Sequence, residues 1–363
     1  MGDARHYFHH KQEFATRRGD TLSEFTLAYE TWGELNSARD NAVVIFTGLS
    51  PSAHAGSSPA DPSPGWWEFM VGPGKPIDTR RWFVVCINSL GSCKGSTGPA
   101  STDPGTGKRY RLTFPALSIE DIAASGHLLV KHLQIDEVAV LVGPSMGGMT
   151  ALAYALQFGR VRHMINVSSA ASSSPFAIAL RSLQREMIRE DRHFQEGGYA
   201  DGEGPKTGMR LARKLGMMTY RSAEEWHDRF KRDLIDPADR GDDPFGPSFA
   251  IESYLEYHAQ KFIDGFDPNC YLYLSRAMDW FDAKEHCFGT AESRARFKSA
   301  LVIGVHSDIL FPIYQQRQIA TIMTEEGTPV VFHALESIQG HDSFLVDTER
   351  FAPLVARYLE NLT

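Results

Sequence analysis

The chain predicts an α/β fold: a mostly parallel sheet with helices on both faces and an inserted helical lid. Three observations carry that prediction. Short apolar runs alternate with helical stretches in both the first half and the last quarter of the chain. A Gly-x-Ser-x-Gly turn joins one such run to one such helix. Between about Pro175 and His286 the strand signal disappears and helical periodicity takes over. This divides the 363 residues into a core of 1–172 and 296–363 and a lid of 173–295. The length fits two domains of about 150 residues, or equally one large α/β fold with an insertion.

Taken in order, Glu24 to Thr31 alternates as a strand does, and Ala42 to Phe46 and Trp82 to Ile87 are short apolar runs. Ile119 to Leu133 has helical spacing and leads into the strand Val138 to Val142. The turn Gly143-Pro144-Ser145-Met146-Gly147 follows, then the helix-forming stretch Thr150 to Phe158 and a strand at Met164 to Val167. Helices are expected over Phe176–Arg189, Thr207–Tyr220, Ala223–Leu234, Ser248–Phe262 and Leu272–Asp282, separated by loops rich in Gly, Asp and Pro. Strands resume at Ala300 to Val305 and Val330 to Phe332, before a last helical segment from Asp347 to Leu362. His6, His9 and His10 are read as a mobile, solvated tail rather than a metal site.

Strand, Gly-x-Ser-x-Gly and helix together form the nucleophile-elbow pattern. Glycines two residues either side of Ser145 remove side chains that would clash in a tight turn. The following helix directs its positive end at the serine. A nucleophilic serine needs a base and an orienting acid, which follow it in the order acid, then histidine, in hydrolase-like sheets. Asp308 comes just after the strand ending at Val305, and His341 lies on a glycine-containing loop after the last strand. His333 is a rival base, but it sits within or at the end of that strand; Asp308 could also serve as a helix cap. The loop Phe46 to His54 follows an early strand, so the N–H groups of Leu49 and Met146 are the expected oxyanion hole.

Composition excludes other classes. The net charge of −8 lacks the basic face a nucleic-acid binder needs. Cys86, Cys93, Cys270 and Cys287 have no paired spacing, so neither a zinc site nor a disulfide framework is expected. The first residues lack the apolar core of a signal peptide, and no apolar run approaches the roughly 20 residues of a membrane span. A cytoplasmic enzyme without metal or resident cofactor is the expectation.

Asn88-Ser89-Leu90-Gly91 with Gly95-Ser96-Thr97-Gly98-Pro99, the elbow Ser145-Met146-Gly147-Gly148-Met149, and Gly340-His341-Asp342 resemble the homoserine O-acyltransferase family. The resemblance runs from about Thr26 to Tyr358. Gly48-Leu49-Ser50-Pro51 with Ala53-His54, Gly65-Trp66-Trp67-Glu68, Ser182 to Glu186 and Tyr271 to Asp282 are most similar to its serine O-succinyltransferase branch. The resemblance implies an α/β-hydrolase fold and transfer of a succinyl group from succinyl-CoA, as co-substrate, to L-serine through a Ser145 acyl-enzyme, feeding cysteine biosynthesis. It further implies that Arg213 binds the amino-acid carboxylate and Asp342 its ammonium group. Arg185 and the loop residues Pro51, Ser52, Ala53 and His54 would set acyl-CoA specificity, and the lid helices would form a homodimer. Two neighbouring activities remain open: homoserine O-acetyl- or O-succinyl-transfer for methionine biosynthesis, and ester or thioester hydrolysis by the same triad.

Overall fold

The computed structural model describes residues 4–200, 202–236, 238 and 240–362. Its main sheet has eight strands. In chain order they are β1 (His6–His10), β2 (Phe25–Trp32), β3 (Ala42–Phe46), β4 (Phe83–Ile87), β5 (Val138–Pro144), β6 (Val161–Val167), β7 (Ser299–Val305) and β8 (Val330–Leu335). Their order in space is β1-β2-β4-β3-β5-β6-β7-β8. β2 runs antiparallel to both its neighbours, and every pair from β4–β3 to β7–β8 is parallel. Parallel strands covered on both faces must be apolar throughout, which is why β3 reads Ala-Val-Val-Ile-Phe and is wholly buried. Alternation still sorts the residues: Val43 and Ile45 enter one core layer, while Ala42, Val44 and Phe46 enter the other.

The helices of eight residues or more are α1 (Ile119–His132), α2 (Met146–Phe158), α3 (Pro175–Arg189), α4 (Lys206–Tyr220), α5 (Ala223–Phe230), α6 (Ala250–Ile263), α7 (Pro268–Trp280), α8 (Ile313–Glu325) and α9 (Thr348–Glu360). Their starts follow local chemistry. Ser118 and Asp121 form a capping box at α1. Ser174 and Asp267 cap α3 and α7, each with a proline at the first helical position, where no N–H is needed. Helices α3 to α7 all lie between β6 and β7 in the chain; α3 packs on α4 and α7, and α4 on α6. Among the described residues no helix is long and apolar enough to cross a membrane.

Several boundaries differ from expectation. His6, His9 and His10 are no tail: they belong to β1, which pairs with β2 from His6↔Tyr29 to His10↔Phe25. Phe8 anchors that edge strand in the core, and His10 stacks obliquely on Phe25. α2 starts four residues early because Gly147 and Gly148 are helical there despite their low propensity. α5 stops at Phe230, where Lys231 turns to positive φ, and Leu234 instead bridges to Phe249. β8 reaches Leu335, so His333 lies inside the sheet opposite Ile303.

Phe46 closes β3 against α1 and α2: it lies 6.0 Å from the Tyr154 ring, and a Cβ on Gly126 would come within 2.6 Å of it. Phe46→Ala should therefore cost about 3–5 kcal/mol, read from urea unfolding. A loss under about 1 kcal/mol would contradict this packing.

Candidate active site

Ser145 occupies the turn between β5 and α2 with φ 55° and ψ −125°, a conformation a side-chain-bearing residue holds only under constraint. Its N–H donates to the Val167 carbonyl at 2.9 Å. A Cβ on Gly143 would lie 2.2 Å from the Gly147 carbonyl oxygen, and one on Gly147 would lie 2.1 Å from that of Phe46. Both contacts are impossible, so glycine is required at each position. Met146 opens α2, so its N–H has no acceptor within the helix and points out at the positive end of the dipole. Leu49, on the loop after β3, lines the same cavity as Ser145.

His341 Nε2 lies 2.9 Å from Ser145 Oγ, and His341 Nδ1 lies 2.7 Å from Asp308 Oδ2. The carboxylate requires Nδ1 to carry the proton, which leaves the Nε2 lone pair facing the serine hydroxyl. Asp308 is buried just past β7, and its Oδ1 accepts the N–H groups of Leu310 (2.9 Å) and Phe311 (2.8 Å). It caps that turn rather than α8, and both its oxygens are engaged. Phe311 stacks on the His341 ring at 5.1 Å, and Phe344 meets its edge at 5.6 Å. Burial opposes a charged ring, but the Asp308 carboxylate outweighs it and raises the His341 pKa above the ordinary value. His333 is absent from this arrangement, and burial lowers its pKa.

The serine opens into a cavity of about 180 Å³. Arg213 and Asp342 both line it. The Arg213 guanidinium stands 4.3 Å from the Phe262 ring centre and 5.3 Å from that of Tyr220, and its buried Nε has no hydrogen-bond partner. Among the described residues no carboxylate lies within ion-pair distance of it. Asp342 Oδ2 is 3.2 Å from Arg221 Nε.

The expected specificity residues divide. Pro51 lines the cavity, whereas Ser52, Ala53 and His54 do not. Ser52 offers its carbonyl to the Trp66 indole N–H at 3.1 Å, and it is Trp66 that reaches the cavity. Ala53 is fully buried. His54 turns to β2, with Nδ1 2.8 Å from Glu30 Oε2 and Nε2 2.9 Å from the Ser63 carbonyl. Burial opposes its charge, but those two partners raise its pKa, so His54 pins the loop to the sheet.

Arg185 also lies off the cavity. It bonds Ser275 Oγ at 3.0 Å, pairs with Asp279 at 2.6 Å and borders a separate groove with Arg189, Arg276 and Trp280. Its place at the cavity wall is taken by Arg181, one helical turn earlier, which pairs with the same Asp279 at 2.6 Å and donates to Ser173 Oγ at 2.6 Å. Two buried guanidiniums thus share one carboxylate. Sequence reasoning missed Arg181, Gln184, Tyr220 and Tyr271, all of which line the cavity. A signal for Arg181 existed: it falls on the buried face of α3 with Ala177, Leu180, Gln184 and Ile188, where an arginine demands a partner. Among the described residues no group of His, Cys, Asp and Glu is arranged to hold a metal ion.

The His341 ring should titrate above the ordinary histidine midpoint of about 6.5 when followed by imidazole proton NMR. Asp308→Asn removes the attraction and leaves the burial, so the midpoint should fall below it. An unchanged midpoint would mean that Asp308 does not control the ring.

The family model for the α/β hydrolase fold matches residues 41–348. Over 363 residues the chain is 56% identical to a serine O-succinyltransferase of Litchfieldella anticariensis, covering 99% of each. It is 57% identical to an L-serine/homoserine O-acetyltransferase of Streptomyces lavendulae, covering 95% of this chain and 94% of that one. Among solved structures, a homoserine O-acetyltransferase from Bacillus anthracis superposes with a TM-score of 0.88 at 26% identity, over 99% of this chain and 98% of that one. The strand order, the strained serine turn and these full-length similarities agree: the chain belongs to the α/β-hydrolase fold family and, within it, to the serine O-succinyltransferase family of acyltransferases.

Proposed function

We propose that the protein transfers a succinyl group from succinyl-CoA to the hydroxyl of L-serine through an ester on Ser145. The observation that carries this reading is the line from Ser145 Oγ through His341 (2.9 Å) to Asp308 (2.7 Å) at the floor of a small cavity. Ser145 Oγ attacks the thioester carbon and its proton passes to His341 Nε2. The oxyanion is held by the N–H groups of Met146 and Leu49. Collapse breaks the C–S bond, and the departing thiolate takes the proton from His341. The serine substrate then gives its hydroxyl proton to His341 and attacks the ester carbon. Collapse frees Ser145, which recovers that proton. Asp308 keeps the ring in the tautomer both halves require. One base and one oxyanion hole serve both half-reactions, so the kinetics are ping-pong.

Arg213 supplies a guanidinium without an acidic partner for the acceptor's carboxylate, and Asp342 a carboxylate for its ammonium group. The cavity, about 180 Å³, suits an acyl group and an amino acid and leaves the rest of CoA outside. Overall similarity does not choose the donor, since relatives named for succinyl and acetyl transfer are 56% and 57% identical. Arg181 favours succinyl. Together with Arg185 it leaves a buried excess of positive charge beside the cavity that the distal succinyl carboxylate would neutralise. Acetyl transfer is the second reading, motivated by the Streptomyces relative. The product ester carries a carboxylate leaving group that a sulfur nucleophile can displace, which suits cysteine biosynthesis in the cytoplasm. Exposed Phe176 and Leu183 on α3, with Leu211 and Met218 on α4, support a homodimer through these helices.

Ser145→Ala should lose transfer by several orders of magnitude and show no acyl mass after incubation with acyl-CoA. Acylated mutant protein would put the nucleophile elsewhere. Arg181→Ala leaves Asp279 paired one-to-one with Arg185. It should cost roughly tenfold or more with succinyl-CoA and much less with acetyl-CoA. Equal losses would remove Arg181 from donor selection, and a wild type that prefers acetyl-CoA would establish the second reading.

A further inference from the structure

One arginine beside the cavity has no part in the scheme above. Arg221 follows the last turn of α4 and does not line the cavity, yet it joins three elements. Its Nε lies 3.2 Å from Asp342 Oδ2. Its Nη1 donates to Gln339 Oε1 at 2.6 Å and stands 3.6 Å from Glu225 Oε1 in the first turn of α5. The backbones are fastened as well. Gly340 has φ 65°, and a Cβ on it would lie 2.8 Å from Arg221 Cα. Ser222 Oγ donates to the Ile338 carbonyl and accepts the Glu225 N–H at 3.0 Å. The loop carrying His341 and Asp342 therefore rests on the end of the helix that carries Arg213.

We propose that Arg221 is a positioning residue for the acceptor amino acid: it engages one oxygen of Asp342 and leaves the other for the incoming ammonium group. This rests on the reading of Asp342 as the ammonium site. Only the ionised carboxylate can hold an ammonium ion. Burial favours the neutral acid and raises the Asp342 pKa, while Arg221, His341 and Arg213 oppose that rise. His341 lies beside Asp342 on its own loop, Arg213 faces it from α4, and Arg221 comes from the α4–α5 junction. Glu225 on α5 faces Arg221 from the far side, and His258 on α6 feels its charge. His341 is neutral when the acceptor must bind, so it gives little help then. Arg221 is charged at every working pH. Without it the Asp342 pKa rises further, the ionised fraction at a given pH falls, and acceptor binding recovers only at higher pH.

The test compares Arg221→Gln, Arg221→Lys and Asp342→Asn in the full chain, with succinyl-CoA saturating and L-serine varied. A burst of CoA release without acceptor reads the first half-reaction alone. Arg221→Gln should raise the KM for L-serine on the order of tenfold, well beyond any change in the burst. It should also move the acid limb of kcat/KM for L-serine to higher pH. Arg221→Lys should recover most of both and carries the same test if the glutamine variant does not fold. In the Asp342→Asn background, Arg221→Gln should add little. An unchanged acceptor KM and limb, or a burst that falls as far as acceptor turnover, would make Arg221 only a docking contact and overturn the proposal. If Asp342→Asn itself leaves the acceptor KM unchanged, the reading of Asp342 fails first, and that outcome is separable from the others.

Discussion

The structure depends on a close approach at the end of β5. There the chain turns from sheet to helix through Ser145 at positive φ, with the Gly147 carbonyl against Gly143 and the Phe46 carbonyl against Gly147. Strain of this kind costs about 1–3 kcal/mol and persists only where its surroundings over-determine it. The surroundings here are the buried parallel strands β3, β5 and β6, which hold the ends of the turn by ladder bonds and by the Ser145 N–H to Val167. A rigid sheet thereby lifts one hydroxyl clear of its own backbone and aims a helix at it.

The other proposed catalytic groups come from chain far from the turn, and each is fixed locally before it meets Ser145. Asp308 is held by two backbone N–H groups of its own turn, so its second oxygen can point only at His341. His341 is held by Phe311 stacked on its ring and by Phe344 set perpendicular to it. Trp67, fully buried, donates its indole N–H to the Phe344 carbonyl at 2.8 Å and so ties the segment after the Phe46–His54 loop to the histidine side. The Asn88 side-chain amide likewise donates to the Pro51 carbonyl at 3.1 Å, bracing that loop from β4.

What could be read from the residues alone was what depends on local rules. The turn at Ser145 declares itself because only glycine fits at 143 and 147, and the helices capped by Ser118 and Ser174 begin within a residue of where the apolar spacing starts, whereas the helix capped by Asp267 begins four residues before the expected Leu272. The parallel strands are continuous apolar runs. The edge strand at His6–His10 is not, since one face meets solvent and its pattern is that of a polar tail. Side-chain direction was harder still. Arg181 and Arg185 are separated by one helical turn and share Asp279, so their spacing in the sequence does not decide which one reaches the cavity. His54 sits next to the cavity loop in sequence, but the buried Glu30 draws its ring to the sheet. Such outcomes are set by partners distant in the chain.

Asp279 has an evolutionary consequence. A carboxylate that serves two arginines keeps a cationic partner when either one is replaced. Substitution at 181 therefore leaves a balanced pair instead of an orphaned charge. On the proposed role of Arg181, a single substitution there would alter donor choice while Asp279 keeps its pairing with Arg185. The charge behind the proposed donor wall is thus buffered against a change in the wall itself.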